Sequence, residues 1–128
     1  MSERLVYADT SVYGGVFDDE FARASEGFFA LVEARRFRLL ASDIVRREIE
    51  QAPLRIRRLF AALTPFMRLT SFDVATLSLR NAYLAAGILG PQWAEDAAHV
   101  ASATIGGADL IVSWNFRHIV HFDKNSVV

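Results

Sequence analysis

The chain has 128 residues, 52% of them hydrophobic, with 14 Lys and Arg against 15 Asp and Glu for a formal net charge of −1. That is the size of one domain, residues 1–128, with a sizeable core, and a charge so near zero does not announce a nucleic-acid binder by bulk electrostatics. The lack of cysteine excludes a disulfide scaffold and any thiolate zinc site; Met-Ser-Glu-Arg ahead of a short apolar stretch is no signal peptide, no run reaches membrane-spanning length, and a cytoplasmic protein is expected.

Leu5 to Ala8 has the length and composition of a buried strand, and it ends abruptly in Asp9. Thr10 and Ser11 are good helix N-caps, so Asp9 is expected where a strand hands over to a short helix running to Phe17. Asp18, Asp19 and Glu20 read as a polar hinge, after which Phe21, Phe28, Leu31 and Val32 recur at helical spacing. Phe37 to Ala41 is a second strand; Ser42 and Asp43 cap a helix carrying Ile44, Val45, Glu48 and Ile49, and Pro53 opens another with Leu54, Leu59, Phe60 and Leu63. Phe66 to Thr70 is a third strand. Val74, Leu77, Leu84 and Ile88 mark a long amphipathic helix ending near Gly90, Pro91 opens a helix that runs to Gly106 and Gly107, and Asp109 to Ser113 is a fourth strand, with a weaker strand signal near the C-terminus. Strands separated by one or two helices imply parallel pairing through right-handed crossovers, hence a three-layer α/β/α sandwich around a parallel sheet.

Charge is unevenly distributed. Eight of the 14 basic residues (Arg35, Arg36, Arg38, Arg46, Arg47, Arg55, Arg57 and Arg58) fall in one short stretch, and Lys124 is the sole lysine. Arginine makes forked contacts to phosphate, although a solvated helix face accounts for such a run as well.

The carboxylates are best weighed together. Glu48 lies four residues after Ile44, at the edge of its helix's buried stripe, and Asp96 falls in the first turns of the helix after Pro91. Asn115 follows the fourth strand as Asp9 follows the first, and in a parallel sheet those ends open on one edge. Oxygen ligands converging there suit a hard ion such as Mg²⁺ or Mn²⁺. Each has a plainer account: Asp9 as a cap, Glu48 paired with Arg46 or Arg47, Asp96 serving a helix dipole, Asn115 in a turn. His99, three residues after Asp96, is within reach of the site but is expected to pack its helix, and Trp114, able to stack on a base, is expected to pack beside its strand.

Tyr-Ala-Asp-Thr-Ser-Val from Tyr7, Ser-Asp-Ile-Val-Arg-Arg-Glu-Ile from Ser42, Glu-Asp-Ala-Ala-His-Val-Ala-Ser-Ala from Glu95 and Gly-Ala-Asp-Leu-Ile-Val-Ser-Trp-Asn-Phe from Gly107 resemble the four motif blocks of the PIN-domain family. The resemblance spans essentially the whole chain and is greatest to the small stand-alone toxins of the VapC type. It implies a metal-dependent endoribonuclease, the toxin of a toxin–antitoxin pair, with Asp9, Glu48 and Asp96 as ligands of Mg²⁺ or Mn²⁺. It further implies a small antitoxin partner and a homodimer. The family's fourth acidic position falls on Asn115, which can lend an amide oxygen but no charge. In that setting Thr10 or Ser11 would position a phosphate oxygen, and the arginine stretch, Arg46 and Arg47 included, would guide the RNA backbone.

Two other classes compete. A PIN-like module that binds RNA or a partner, and has lost cleavage through Asn115, would share every motif. A phosphoryl-transfer domain built on Asp9 is less well matched: a haloacid-dehalogenase-type phosphatase wants an aspartate where Ser11 stands, and a receiver domain wants an acidic pair ahead of its aspartate.

Overall fold

The computed structural model describes residues 3–87 and 93–115. Its four strands, β1 (Arg4–Ala8), β2 (Phe37–Ser42), β3 (Met67–Thr70) and β4 (Leu110–Val112), form one sheet in the order β3-β2-β1-β4. Every pairing is parallel, with Tyr7 opposite Leu40 on one side and Ile111 on the other. Among the described residues six α-helices connect the strands: α1 (Thr10–Gly15), α2 (Ala22–Glu33), α3 (Asp43–Glu50), α4 (Leu54–Leu63), α5 (Val74–Ala85) and α6 (Ala94–Ile105), with a 3₁₀ turn at Thr64–Phe66. The chain advances β1 to β2 to β3 in one direction and returns to the far side of β1 for β4. Right-handed crossovers then place α1 to α4 on one face and α5 and α6 on the other, which is the three-layer α/β/α sandwich.

The two central strands are covered on both faces, so nearly every position in them is apolar. Leu5 to Ala8 and Leu39 to Ala41 are all buried, and Val12, Tyr13, Phe29, Val45 and Leu63 close over them. Each such aliphatic or aromatic side chain removed from water stabilises the fold by about 1.5–3 kcal/mol before the entropy of ordering is set against it.

Helix starts follow side-chain chemistry, with one revision. Ser42 caps α3, its Oγ accepting from Val45 N at 3.2 Å, and Asp73 caps α5 by accepting from Thr76 N at 3.2 Å. At α1 the cap is Asp9 and neither Thr10 nor Ser11: Asp9 keeps extended backbone and its carboxylate accepts from Ser11 N at 3.1 Å. Asp43 is used otherwise, holding Phe72 N at 2.9 Å and Arg46 at 2.9 Å. The amphipathic helix also stops earlier than its hydrophobic pattern, because Gly87 takes a left-handed conformation (φ 72°) just after Ala85. The expected helix start at Pro91 and the C-terminal strand lie outside the described residues.

Trp114 seals the junction of α1, α2 and β4. Its ring stacks on Phe21 with centroids 5.3 Å apart, and its Nε1 donates to Ser25 Oγ at 2.9 Å. Gly15 makes that approach possible, since a Cβ there would lie 2.5 Å from Ser25 Oγ and 2.6 Å from Trp114 Nε1. Gly15→Ala should therefore cost about 1–3 kcal/mol through overpacking and displacement of the indole. Urea denaturation followed by tryptophan fluorescence measures this, and an unchanged midpoint would contradict it.

Candidate functional site at the carboxyl edge of the sheet

The strand order reverses at β1, whose neighbours are reached by crossovers running in opposite directions. In an open parallel sheet the crevice beyond the carboxyl ends of two such strands is where ligands bind. Asp9 stands there, at the end of β1 and only 4% exposed. A carboxylate so placed is costly unless hydrogen-bonded, and three donors meet it. Ser11 N at 3.1 Å and Ser11 Oγ at 2.5 Å reach Oδ1, and Ser113 Oγ at 2.5 Å reaches Oδ2. Both serine hydroxyls are fixed in turn by backbone N–H groups of the segment that follows β4: Trp114 N donates to Ser11 Oγ at 2.9 Å and Asn115 N to Ser113 Oγ at 3.0 Å. The sequence reading missed Ser113. Ala8 is in register with Val112, so the residue beside Asp9 is Ser113, while Asn115 lies two positions further on and is exposed.

Glu48 reaches the same edge from α3. Thr10, the residue after Asp9, donates its Oγ1 to Glu48 Oε1 at 2.5 Å, so one peptide bond and one hydrogen bond connect the two acidic residues. Arg46 does not pair with Glu48, being bonded to Asp43, and the Arg47 charge acts on Glu48 from an exposed position. His99 departs furthest from expectation. It is buried, and beyond packing its helix it places Nε2 3.0 Å from Glu48 Oε1 and Nδ1 2.6 Å from the hydroxyl of Tyr7. Tyr7 OH is in turn 2.8 Å from Ser42 Oγ. Burial holds the Tyr7 phenol far above its ordinary pKa, with the charges of Asp9 and Glu48 adding to the effect against the Ser42 hydrogen bond, so it remains protonated. Burial works against charge on Glu48 too, but the hydrogen bonds from His99 and Thr10 and the charges of His99 and Arg47 outweigh it and lower the carboxyl below its usual value.

Asp96 is placed by its helix. It lies in the first turn of α6, one turn before His99, and α6 must begin at the carboxyl edge because it leads back to the start of β4. Thus Asp9, Glu48, Asp96 and Asn115 all belong to one edge, although among the described residues no three His, Asp or Glu side chains are gathered into a metal-holding group. Free lone pairs remain. An ionised carboxylate offers about four acceptor directions; Asp9 uses three, and Glu48 uses two, both on Oε1. An all-oxygen donor set with spare acceptor capacity fits a hard cation such as Mg²⁺ or Mn²⁺. No protein-family model and no curated protein matches the chain.

Glu48 titrates below its ordinary value when folded, so the stability it contributes is complete above the unfolded value of about 4.3 and is lost as pH falls through the lower folded value. Glu48→Gln keeps an acceptor for Thr10 and His99 but cannot titrate. Its urea midpoint should consequently fall less steeply with acid over that window than the wild type's; parallel profiles would contradict the assignment.

Proposed function

We propose that the chain is a metal-dependent endoribonuclease of the PIN-like toxin type, acting on RNA phosphodiesters. The observation that carries this reading is the joining of Asp9 to Glu48 through Thr10, at the switch point of a β3-β2-β1-β4 parallel sheet. Asp9, Glu48 and Asp96 would hold Mg²⁺ or Mn²⁺, which supplies a more acidic water and offsets charge on the phosphate. The protein's own share is orientation. Ser11 and Ser113 lock the Asp9 carboxylate, Thr10 and His99 lock Glu48, and all four donors leave acceptor capacity on the carboxylates. Arg46 and Arg47, both exposed on α3 beside Glu48, would meet the RNA backbone.

A toxin of this type would work in the cytoplasm, restrained by a small antitoxin protein, and would pair as a homodimer. Among the described residues no helix is long and apolar enough to cross a membrane. Leu69, Val74 and Leu77 are exposed on β3 and α5, which supports a protein partner on that side. A second reading, a PIN-like module that binds without cutting, draws on Asn115: it is exposed and neutral where the resembled enzymes carry a fourth acid.

Cleavage of a structured RNA in Mn²⁺ or Mg²⁺ separates the two. The enzyme reading predicts cleavage that chelator abolishes and that Asp9→Asn lowers by at least about 100-fold, because a ligand matters no less than the groups that orient it. RNA binding without cleavage by the wild type, or full cleavage by Asp9→Asn, would refute it.

A further inference from the structure

When Glu48 is ionised, the hydrogen bond between it and His99 has a fixed direction. A carboxylate donates nothing, so the proton between His99 and Glu48 must sit on Nε2. Nδ1 is held by Tyr7 OH, 2.6 Å away: the phenol donates to a neutral ring and accepts from an imidazolium, and Nε2 keeps its bond to Glu48 in both. The phenol oxygen is in turn 2.8 Å from Ser42 Oγ, which accepts from Val45 N. The chain of hydrogen bonds thus joins Ser42, Tyr7, His99 and Glu48. It starts at the N-cap of α3 and ends on the same helix, passing through β1 and α6. Tyr7, Ser42 and His99 are all buried, so water does not compete for these groups.

The consequence falls on one atom. With Thr10 Oγ1 and His99 Nε2 both on Oε1, no hydrogen bond among the described residues reaches Glu48 Oε2. We propose that His99 is a positioning residue: held at Nδ1 by Tyr7, it donates from Nε2 to commit Oε1 of Glu48 and presents Oε2 as a single-oxygen ligand for a divalent cation. This deepens the nuclease reading and rests on it for the identity of the reaction, but not for the orientation of Glu48.

Three measurements test it. Nitrogen-15 spectra of the imidazole, taken without metal, should show the His99 Nε2 protonated, and Tyr7→Phe should release Nδ1 and let the ring lose that fixed orientation. Two isosteric variants then separate positioning from packing, because the side-chain amide nitrogen of His99→Gln takes the place of Nε2, whereas that of His99→Asn takes the place of Nδ1. In calorimetric Mn²⁺ titration His99→Gln should stay within about threefold of wild type, and His99→Asn should bind about tenfold or more weakly, as loss of an orienting group does. Cleavage of a structured RNA should follow the same order in kcat. A His99 without a proton at Nε2 in the wild type, no Mn²⁺ binding by the wild type, or equal Mn²⁺ affinity in the two variants overturns the proposal. A protonated Nε2 and the expected affinities with no cleavage by any protein would uphold the positioning role and overturn only the nuclease reading.

Discussion

A buried carboxylate at the end of a central strand is the constraint on which the site depends. Asp9 sits where little of it meets water, so its carboxylate must be met by groups the fold delivers, and the sheet delivers them from two strands at once. Ser11 comes from the chain immediately after β1, and Ser113 from the end of β4, a strand nearly the whole chain away in sequence. Each hydroxyl donates to Asp9 while accepting a backbone N–H from the segment after β4. Charge-assisted bonds of this kind are about twice as strong as neutral ones. They therefore pin the register of β1 against β4 and the entry of α1 together.

The same junction ties the layers to one another. Thr10 connects the start of α1 to α3, and His99 connects α3 to α6 on the other face of the sheet. Tyr7 bridges them through the sheet itself, its phenol standing between Ser42 and His99. Loss of one partner in such a network leaves another buried polar group unsatisfied, which costs about 1–3 kcal/mol. A site organised in this way holds its carboxylates still before any ligand arrives, and preorganisation of that sort is what binding a small hard cation and a phosphate demands.

The fold was largely legible because its signals are local. Leu5 to Ala8 and Phe37 to Ala41 are continuous apolar runs of strand length, and Ser42 and Gly106 mark helix ends by ordinary capping chemistry. The site was only half legible, and the missing half is non-local. Asp9 and Glu48 announce themselves as carboxylates beside apolar runs, but which hydroxyl lies beside Asp9 depends on the β1–β4 register, and that register selects Ser113 over Asn115. His99 looked like a packing residue because a histidine on an apolar helix face usually is one; its partners, Tyr7 and Glu48, are 92 and 51 residues away. Thr10 and Ser11 read as caps, with Asp9 as the plainer alternative. Asp9 takes that role, and both hydroxyls turn to the carboxylates.

The proposal that binds these observations together is that the carboxyl edge of β1 and β4 holds a cation. Paramagnetic broadening of backbone amide resonances during Mn²⁺ titration tests it directly. The account predicts that the amides of Ser11, Glu48 and Ser113 lose intensity first and together. Broadening centred instead on the exposed acidic turn at Asp18, Asp19 and Glu20, with the Ser11, Glu48 and Ser113 amides unaffected, would contradict it.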